Sequence, residues 1–229
     1  MTEKQKIKLE LEKERIKGMR EFENRLVRES LGAALNTDAA SESGLFLVAG
    51  IDEAGRGPLA GPVAAGALIL PADHDILYLN DSKKLSAKKR DLLFEQIKEE
   101  AVAWAVGLAE PARIDEINIL QATYEAMRLA IAQLKVRPSV LVNDAVTIPG
   151  VQIPQVPVVK GDAKCISIAA ASILAKVTRD RIMEEMDTLY PEYGFAKHKG
   201  YGTKEHMDAI REYGPCPIHR RTFITKIVS

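Results

Sequence analysis

Two adjacent carboxylates, Asp52 and Glu53, stand between the apolar run 45–49 and the segment Gly55-Arg56-Gly57. The short apolar run predicts a buried strand, which places both acids at its end. Consecutive strand side chains point to opposite faces, so the pair can serve one site only if the chain leaves the regular pleat, which the glycines permit. A glycine-flanked arginine offers close backbone approach and a forked donor for phosphate. The pattern indicates a site for a divalent metal and a phosphodiester.

Two further acids, Asp144 and Asp162, follow the predicted strands 140–142 and 156–159. Hard ions such as Mg²⁺ and Mn²⁺ prefer carboxylate oxygens, and two ions about 3.5 to 4 Å apart can activate a water and shelter a leaving oxygen. A lone aspartate at a strand end more commonly forms a turn or caps a helix. That alternative is weaker for Asp144, because no helix start follows it. Asp180 lies in mid-helix between two arginines, which indicates ion pairing on the helix surface.

Six ordered segments carry a resemblance to one known family. They are Asp52-Glu53-Ala54-Gly55-Arg56-Gly57, Asp81-Ser82-Lys83-Lys84-Leu85-Ser86, Val142-Asn143-Asp144-Ala145, Lys160-Gly161-Asp162, the stretch 169–180 that reads AAASILAKVTRD, and His198-Lys199-Gly200-Tyr201-Gly202-Thr203. In this order they resemble the motifs of the type II ribonuclease H (ribonuclease HII) family, and they cover roughly residues 45–221. Any one segment is weak evidence alone, but the ordered set is highly specific.

The resemblance implies an endoribonuclease that hydrolyses the RNA strand of RNA–DNA hybrids and cuts 5′ to single ribonucleotides embedded in duplex DNA. Its products would carry 3′-hydroxyl and 5′-phosphate ends, and its cofactor would be Mn²⁺ or Mg²⁺. The loop Gly55-Arg56-Gly57 would sense the ribonucleotide, and Tyr201 would stack on the deoxyribose that follows it. The catalytic and metal-binding residues would be Asp52, Glu53, Asp144 and Asp162.

Lysines provide the remaining candidate substrate contacts. Lys83, Lys84 and Lys176 suit phosphate binding, although a solvated surface is the common alternative for such residues. The alternatives for the loop and for Tyr201 are a glycine turn needed only for chain reversal and a buried structural tyrosine. Histidines at 198, 206 and 219 lack metal-ligand spacing and are predicted to lie at the surface or near phosphate. Asp81 is predicted either to orient the basic segment after it or to form a turn.

Apolar periodicity predicts the elements that must position these residues. Strands are expected at 45–49, 62–70, 102–108, 140–142 and 156–159, and helices at 86–100, 113–134, 166–189 and 203–213. A hairpin followed by strands that alternate with helices indicates an α/β fold. We therefore predict a mixed five-stranded sheet flanked by helices, with a C-terminal helical part, which is the ribonuclease H-like fold that the resemblance implies.

The N-terminal segment differs in character from the remainder. Residues 3–29 are rich in Lys, Glu and Arg with apolar residues near helical spacing, which predicts an amphipathic helix, and Gly18 is expected to break or fray it. Small and polar residues at 31–44 predict a linker. We therefore divide the chain into an N-terminal helical extension with linker, 1–43, and a ribonuclease H-like catalytic domain, 44–229. The extension is expected to assist substrate binding or to pack against the domain.

Composition limits the possible classes of protein. The 229 residues carry 32 basic and 32 acidic side chains, so the net charge is zero and local charge must attract any nucleic acid. Two cysteines are too few for a zinc site or a disulfide framework. No apolar span is long enough to cross a bilayer, and no signal peptide is evident. These features predict a cytoplasmic monomer whose partners are RNA–DNA hybrids and ribonucleotide-containing duplex DNA, not membranes.

Three rival functions stay open on the sequence. A junction resolvase on the same fold would use similar carboxylates and ignore the 2′-hydroxyl. A hybrid-binding module without catalysis would have lost acidic residues, but all four are present. In the third rival, the N-terminal helix acts mainly as an interaction arm.

Overall fold

The computed structural model describes residues 2–31 and 47–228, and a mixed sheet forms its centre. Within these residues the strands are β1 (Val48–Ala54), β2 (Val63–Ile69), β3 (Ala103–Ala109), β4 (Val140–Asp144) and β5 (Gln155–Val158). Their order across the sheet is β3-β2-β1-β4-β5. The first three strands are mutually antiparallel, whereas β4 runs parallel to β1 and β5 runs parallel to β4. The predicted five-stranded mixed sheet is confirmed.

The first strand extends further than the sequence indicates. Antiparallel pairing with β2 continues to Glu53 opposite Ala65 and Ala54 opposite Ala64. Asp52 and Glu53 therefore lie within the last three residues of the strand, and the departure from the pleat expected there is not observed, because the hairpin partner keeps both in the ladder. The parallel pairing of β1 with β4 stops earlier, at Ile51. Residues 45 and 46 of the predicted strand lie outside the described residues.

Helices cover both faces of the sheet. They are α2 (Ala87–Glu100) and α4 (Ile166–Leu189) on one face and α3 (Pro111–Ala132) on the other. The bounds of α4 agree with the prediction, and Ser86 caps α2 as expected, by accepting a hydrogen bond from the Lys89 amide. The helix predicted at 113–134 contains a kink at Asn118, whose φ of 66° departs from helical geometry. Its side chain restarts the helix by accepting from the amides of residues 120 and 121.

Two glycines bring α4 directly onto the sheet. A Cβ built on Gly50 of β1 would lie 2.1 Å from the carbonyl carbon of Ser167, and one on Gly66 of β2 would lie 2.4 Å from the carbonyl oxygen of Ala171. Real Cβ atoms do not approach so closely, so the α4 backbone occupies the space that side chains would fill. This close packing positions the polar residues of α4 beside the middle of β1.

The N-terminal helix α1 (Glu3–Leu31) packs on the domain. Its buried apolar residues include Ile16, Met19 and Val27, which join core clusters with α4 and with the strands β4 and β5. Glu23 is also buried, and its carboxylate accepts hydrogen bonds from the amide and hydroxyl of Ser167 at 3.0 and 2.8 Å. The expected break at Gly18 is absent from the described helix. The predicted domain boundary at 43/44 lies outside the described residues.

Short helices complete the C-terminal part. They are α5 (Phe195–His198), α6 (Lys204–Tyr213) and α7 (Arg221–Val228). Thr203 caps α6, as predicted, by accepting from the His206 amide at 3.2 Å. The short α5 and α7 do not appear in the sequence prediction. Among the described residues, none of the helices is both long enough and apolar enough to cross a membrane.

Candidate active site

The parallel pairing of β1 and β4 brings two of the predicted acids to one face. Gly50 is paired with Val142, and Asp52 and Asp144 each follow two residues later. Because side chains alternate along a strand, both aspartates lie on the face that Gly50 presents to α4. The site is therefore a sheet interior covered by a helix, not a surface loop.

Asp52 is the most enclosed of the four acids, with 6% of its surface exposed. Its carboxylate accepts a hydrogen bond from the Glu53 amide at 2.7 Å, and the nearby Ser172 hydroxyl on α4 acts to lower its pKa. The Ser172 hydroxyl lies 2.9 Å from that of Ser82. Burial raises the pKa of Asp52 well above its ordinary value, and the nearby charges of Glu53 and Asp144 raise it further.

Glu53 interacts with the loop that follows β1. Its carboxylate accepts from the Arg56 guanidinium at 3.4 Å. Burial raises the pKa of Glu53, the Arg56 charge partly opposes this, and Asp144 and Lys83 act in opposite directions at longer range. Acidic and basic groups thus converge at the edge where a charged ligand would enter.

Asp162 reaches the site through the turn after β5. The turn 161–163 is a single 3₁₀ helix, and the Gly161 amide donates to the Asp144 carboxylate at 2.7 Å. Burial raises the pKa of Asp162, and the charges of Asp81 and Asp144 add to this rise. Asp81 itself accepts from the Lys83 amide at 2.9 Å, a bond that caps the 3₁₀ turn 82–84 and also holds the basic segment after it.

The donor set suits hard divalent ions. Mutual repulsion among buried carboxylates disfavours their charged forms, and a bound cation removes that cost. Across residues 2–31 and 47–228, no three acidic, histidine or cysteine side chains are arranged as a ready-made metal cage. Mg²⁺ usually keeps several waters and binds through one or two carboxylates together with substrate phosphates. Asp52 and Asp144, which lie on one face of the sheet, therefore suit an ion whose coordination a phosphodiester completes.

The two glycines of the predicted recognition loop have different environments. Gly55 is buried with a φ of 94°, and a Cβ there would lie 2.0 Å from Nε of Arg179. Gly57 is exposed, and a Cβ built on it would lie 3.9 Å from the nearest atom, which belongs to the Tyr201 ring. Only Gly57 therefore leaves room for a ligand, while Gly55 leaves room for an arginine. Tyr201 is 44% exposed, so the alternative of a buried tyrosine is wrong.

Two buried arginines, absent from the predicted site, hold this loop from beneath. Arg220 donates to the backbone carbonyls of Gly55, Arg56 and Gly61 at 2.6, 2.9 and 3.0 Å. Arg179 donates to those of Ala60, Pro62 and Lys199 at 3.0, 2.9 and 3.0 Å. Arg179 lies two turns after Ser172, so helical spacing does indicate its inward face. No local sequence signal identifies Arg220.

The predicted lysines do not form one group. Lys83 is exposed, and its charge acts on both Glu53 and Asp162, which places it at the acidic site. Lys84 is exposed beside it. Lys176 instead donates to Asp180 at 2.7 Å, and Asp180 also lies 3.8 Å from Arg90. Asp180 is ion-paired as predicted, although its partners are not the adjacent arginines.

The three histidines expected at the surface are buried, with 8%, 0% and 1% exposure for His198, His206 and His219. The prediction is wrong because the turn after α5 folds His198 and His206 inward, against the segment that carries His219. The His198 and His206 rings stack with centroids 4.5 Å apart. Burial lowers the pKa of both His206 and His219 to about 4.

These lowered pKa values make the domain sensitive to acid. A depressed histidine pKa contributes stability that is complete above the unfolded value near 6.5 and is lost as pH falls toward 4. We expect the free energy of unfolding to drop by at least about 1 kcal/mol between pH 6.5 and 4.5. Urea unfolding of wild type and of the His206→Asn variant measures this. If the variant keeps the wild-type pH dependence, His206 is not a source of it.

Comparisons with known proteins identify the family of this chain. A model of the ribonuclease HII family matches residues 49–226. A ribonuclease HII of Lachnoclostridium phytofermentans is 64% identical over 182 residues, covering 80% of this chain and 72% of that protein. One from Caldanaerobacter subterraneus is 52% identical over 228 residues, covering 100% and 89%.

A solved structure extends the likeness to three dimensions. The crystal structure of ribonuclease H2 from Pyrococcus horikoshii aligns with a TM-score of 0.66 at 32% identity, covering 79% of this chain and 96% of that one. The sequence and structure comparisons therefore agree on the family and the fold. The chain belongs to the ribonuclease HII family and is a metal-dependent nuclease of the ribonuclease H class.

Proposed function

We propose that this enzyme hydrolyses the RNA strand of RNA–DNA hybrids and cuts 5′ to single ribonucleotides embedded in duplex DNA. One observation carries the proposal. The acids of β1 and β4 adjoin a loop in which Gly57, unlike Gly55, is open and faces the exposed ring of Tyr201. A sugar held between Gly57 and Tyr201 would place its phosphate at the carboxylates.

The four acids are the proposed metal-binding residues. Two Mn²⁺ or Mg²⁺ ions bound there would supply an activated water and stabilise charge on the leaving oxygen. The Glu53 and Gly161 amides orient Asp52 and Asp144 through the hydrogen bonds already described. Arg56 and Lys83 provide positive charge beside the acids for substrate phosphate.

Recognition of RNA requires contact with the 2′-hydroxyl, which is both a donor and an acceptor. Backbone groups at Gly57 can reach it, because no side chain shields them and the residue is exposed. Tyr201 is proposed to stack on the next sugar, which would let the enzyme recognise a junction between ribonucleotide and deoxyribonucleotide. The buried arginines keep this loop in one conformation before substrate arrives, so little ordering is needed on binding.

Cleavage of labelled duplexes tests the proposal. One duplex contains a single ribonucleotide and the other is all DNA, each with Mg²⁺, with Mn²⁺ and with a chelator. We expect metal-dependent cutting of the first duplex only, on the 5′ side of the ribonucleotide. Equal cutting of both would favour a structure-selective nuclease such as a resolvase. Retained hybrid binding with no cutting would favour a binding module.

A further inference from the structure

Buried histidines connect the Tyr201 turn to the C-terminal segment through one chain of hydrogen bonds. The Cys216 amide donates to Nδ1 of His219 at 3.0 Å, and Nε2 of His219 lies 3.0 Å from Nε2 of His206. Nδ1 of His206 lies 2.9 Å from the carbonyl oxygen of Tyr201.

The proton positions in this chain follow from its ends. Nδ1 of His219 accepts from an amide, so the neutral ring carries its proton on Nε2 and donates it to His206. His206 therefore accepts at Nε2 and donates from Nδ1 to the Tyr201 carbonyl. With both rings neutral and their protons placed in this way, every ring nitrogen of the pair has a partner, and Nδ1 of His219 also lies 3.1 Å from the Cys216 sulfur.

The turn that this chain supports has a strained backbone. Lys199 and Gly200 both have positive φ values, of 52° and 81°. A non-glycine residue in that region costs on the order of 1 kcal/mol or more and persists only when its surroundings hold it. His198 contributes as well, because its Nδ1 accepts from the Gly200 amide at 3.2 Å. The histidines thus hold the turn in the conformation that presents Tyr201.

The same segment also supports the recognition loop. His219 forms an isolated β-bridge with Ala60, and the Leu59 amide donates to the Gly200 carbonyl at 2.8 Å. The backbone of His219 therefore contacts the chain that follows Gly57, while its side chain connects through His206 to Tyr201. The buried pair His206 and His219 therefore sets the separation between Gly57 and Tyr201, which are proposed to hold the sugar.

We propose that His206 and His219 are positioning residues for Tyr201, which fix its ring relative to Gly57 and so set the affinity for a ribonucleotide–deoxyribonucleotide junction. This inference rests on the proposed function and assigns neither histidine a contact with substrate. Both act through the Tyr201 main chain, so their loss should weaken substrate binding more than turnover.

Two substitutions at residue 206 distinguish the loss of the hydrogen-bond donor from a change in side-chain volume. His206→Asn places an amide nitrogen near the former Nδ1 and keeps a donor for the Tyr201 carbonyl, whereas His206→Phe keeps the ring and loses the donor. With the single-ribonucleotide duplex, we expect His206→Phe to raise KM about tenfold and change kcat less than about threefold. His206→Asn keeps this donor but loses the bond to His219, so its KM should lie between those of wild type and His206→Phe, with kcat within about threefold of wild type.

A double-mutant cycle with Tyr201→Ala decides whether the effect passes through Tyr201. We expect His206→Phe to add nothing to KM in the Tyr201→Ala background. An additional tenfold rise there, or equal KM for the Asn and Phe variants, would overturn the inference. The wild-type enzyme is also assayed on the ribonucleotide duplex and on the all-DNA duplex. If wild type shows no preference for the first, the proposed function is refuted independently of the His206 result.

Residue 219 gives an independent test if His206→Phe does not fold. His219→Gln can keep a donor to His206, whereas His219→Leu cannot. The expected order of KM is wild type, then His219→Gln, then His219→Leu, with circular dichroism confirming folded protein in each case. A His219→Leu enzyme with wild-type KM would contradict the positioning role.

Discussion

Asp52→Asn is expected to lower kcat at least about 100-fold and to stabilise the folded enzyme at pH 7. The amide removes one anionic group from the site proposed to hold divalent cations. It also removes the cost of burying a charge beside Glu53 and Asp144. Because the folded-state pKa of Asp52 is raised, its contribution to stability is complete only below the unfolded value near 3.9 and is lost as pH rises.

The measurement pairs single-turnover cleavage with urea unfolding at pH 7. Relative to wild type, we expect the free energy of unfolding to rise by about 1 kcal/mol or more. Asp91→Asn is the matched control, since Asp91 lies on the surface of α2, 3.3 Å from Arg181, and should leave cleavage within about threefold. An Asp52→Asn enzyme that cleaves like the control would remove Asp52 from the catalytic set.

Gly50→Ala is expected to destabilise the domain by about 3 kcal/mol or more. The new Cβ would meet the Ser167 backbone at 2.1 Å, and backbone atoms of α4 cannot rotate away as a flexible side chain can. Relief requires α4 to lift from β1, which also withdraws Ser172 from Asp52. Activity should therefore fall at temperatures where the variant is still folded.

Gly18→Ala is the same glycine-to-alanine change at a position where stabilisation is expected. Gly18 lies inside α1 with nothing within 4 Å of a built Cβ, so alanine should stabilise by up to about 1 kcal/mol. Thermal melting of both variants against wild type tests the pair. Equal shifts for the two substitutions would show that close packing at Gly50 does not determine stability.

Regular elements could be predicted from the sequence because their signals are local. The apolar periodicity of 166–189 matches α4, and the caps Ser86 and Thr203 have the expected bonds. The end of β1 was predicted too early, since two acids are unfavourable in a strand unless a partner such as β2 pairs with them. The kink at Asn118 depends on a backbone conformation that residue type alone does not specify.

Site geometry was predictable only in part. Asp52 and Asp144 meet because strand register places them together, and their chemistry is visible in the sequence. The inward face of Arg179 and the burial of the three histidines arise from contacts between distant segments, such as the bridge of Ala60 with His219. Arginine and histidine are usually exposed or only partly buried, so residue type alone predicts that these side chains lie at the surface, whereas the structure buries them.

Identification of the product ends tests the central claim most directly. The account predicts that a duplex with one ribonucleotide yields an upstream fragment ending in a 3′-hydroxyl and a downstream fragment starting with a 5′-phosphate on the ribonucleotide. These ends arise when water is the nucleophile activated at the carboxylate site. A 2′,3′-cyclic phosphate, which requires attack by the 2′-hydroxyl, would contradict the account.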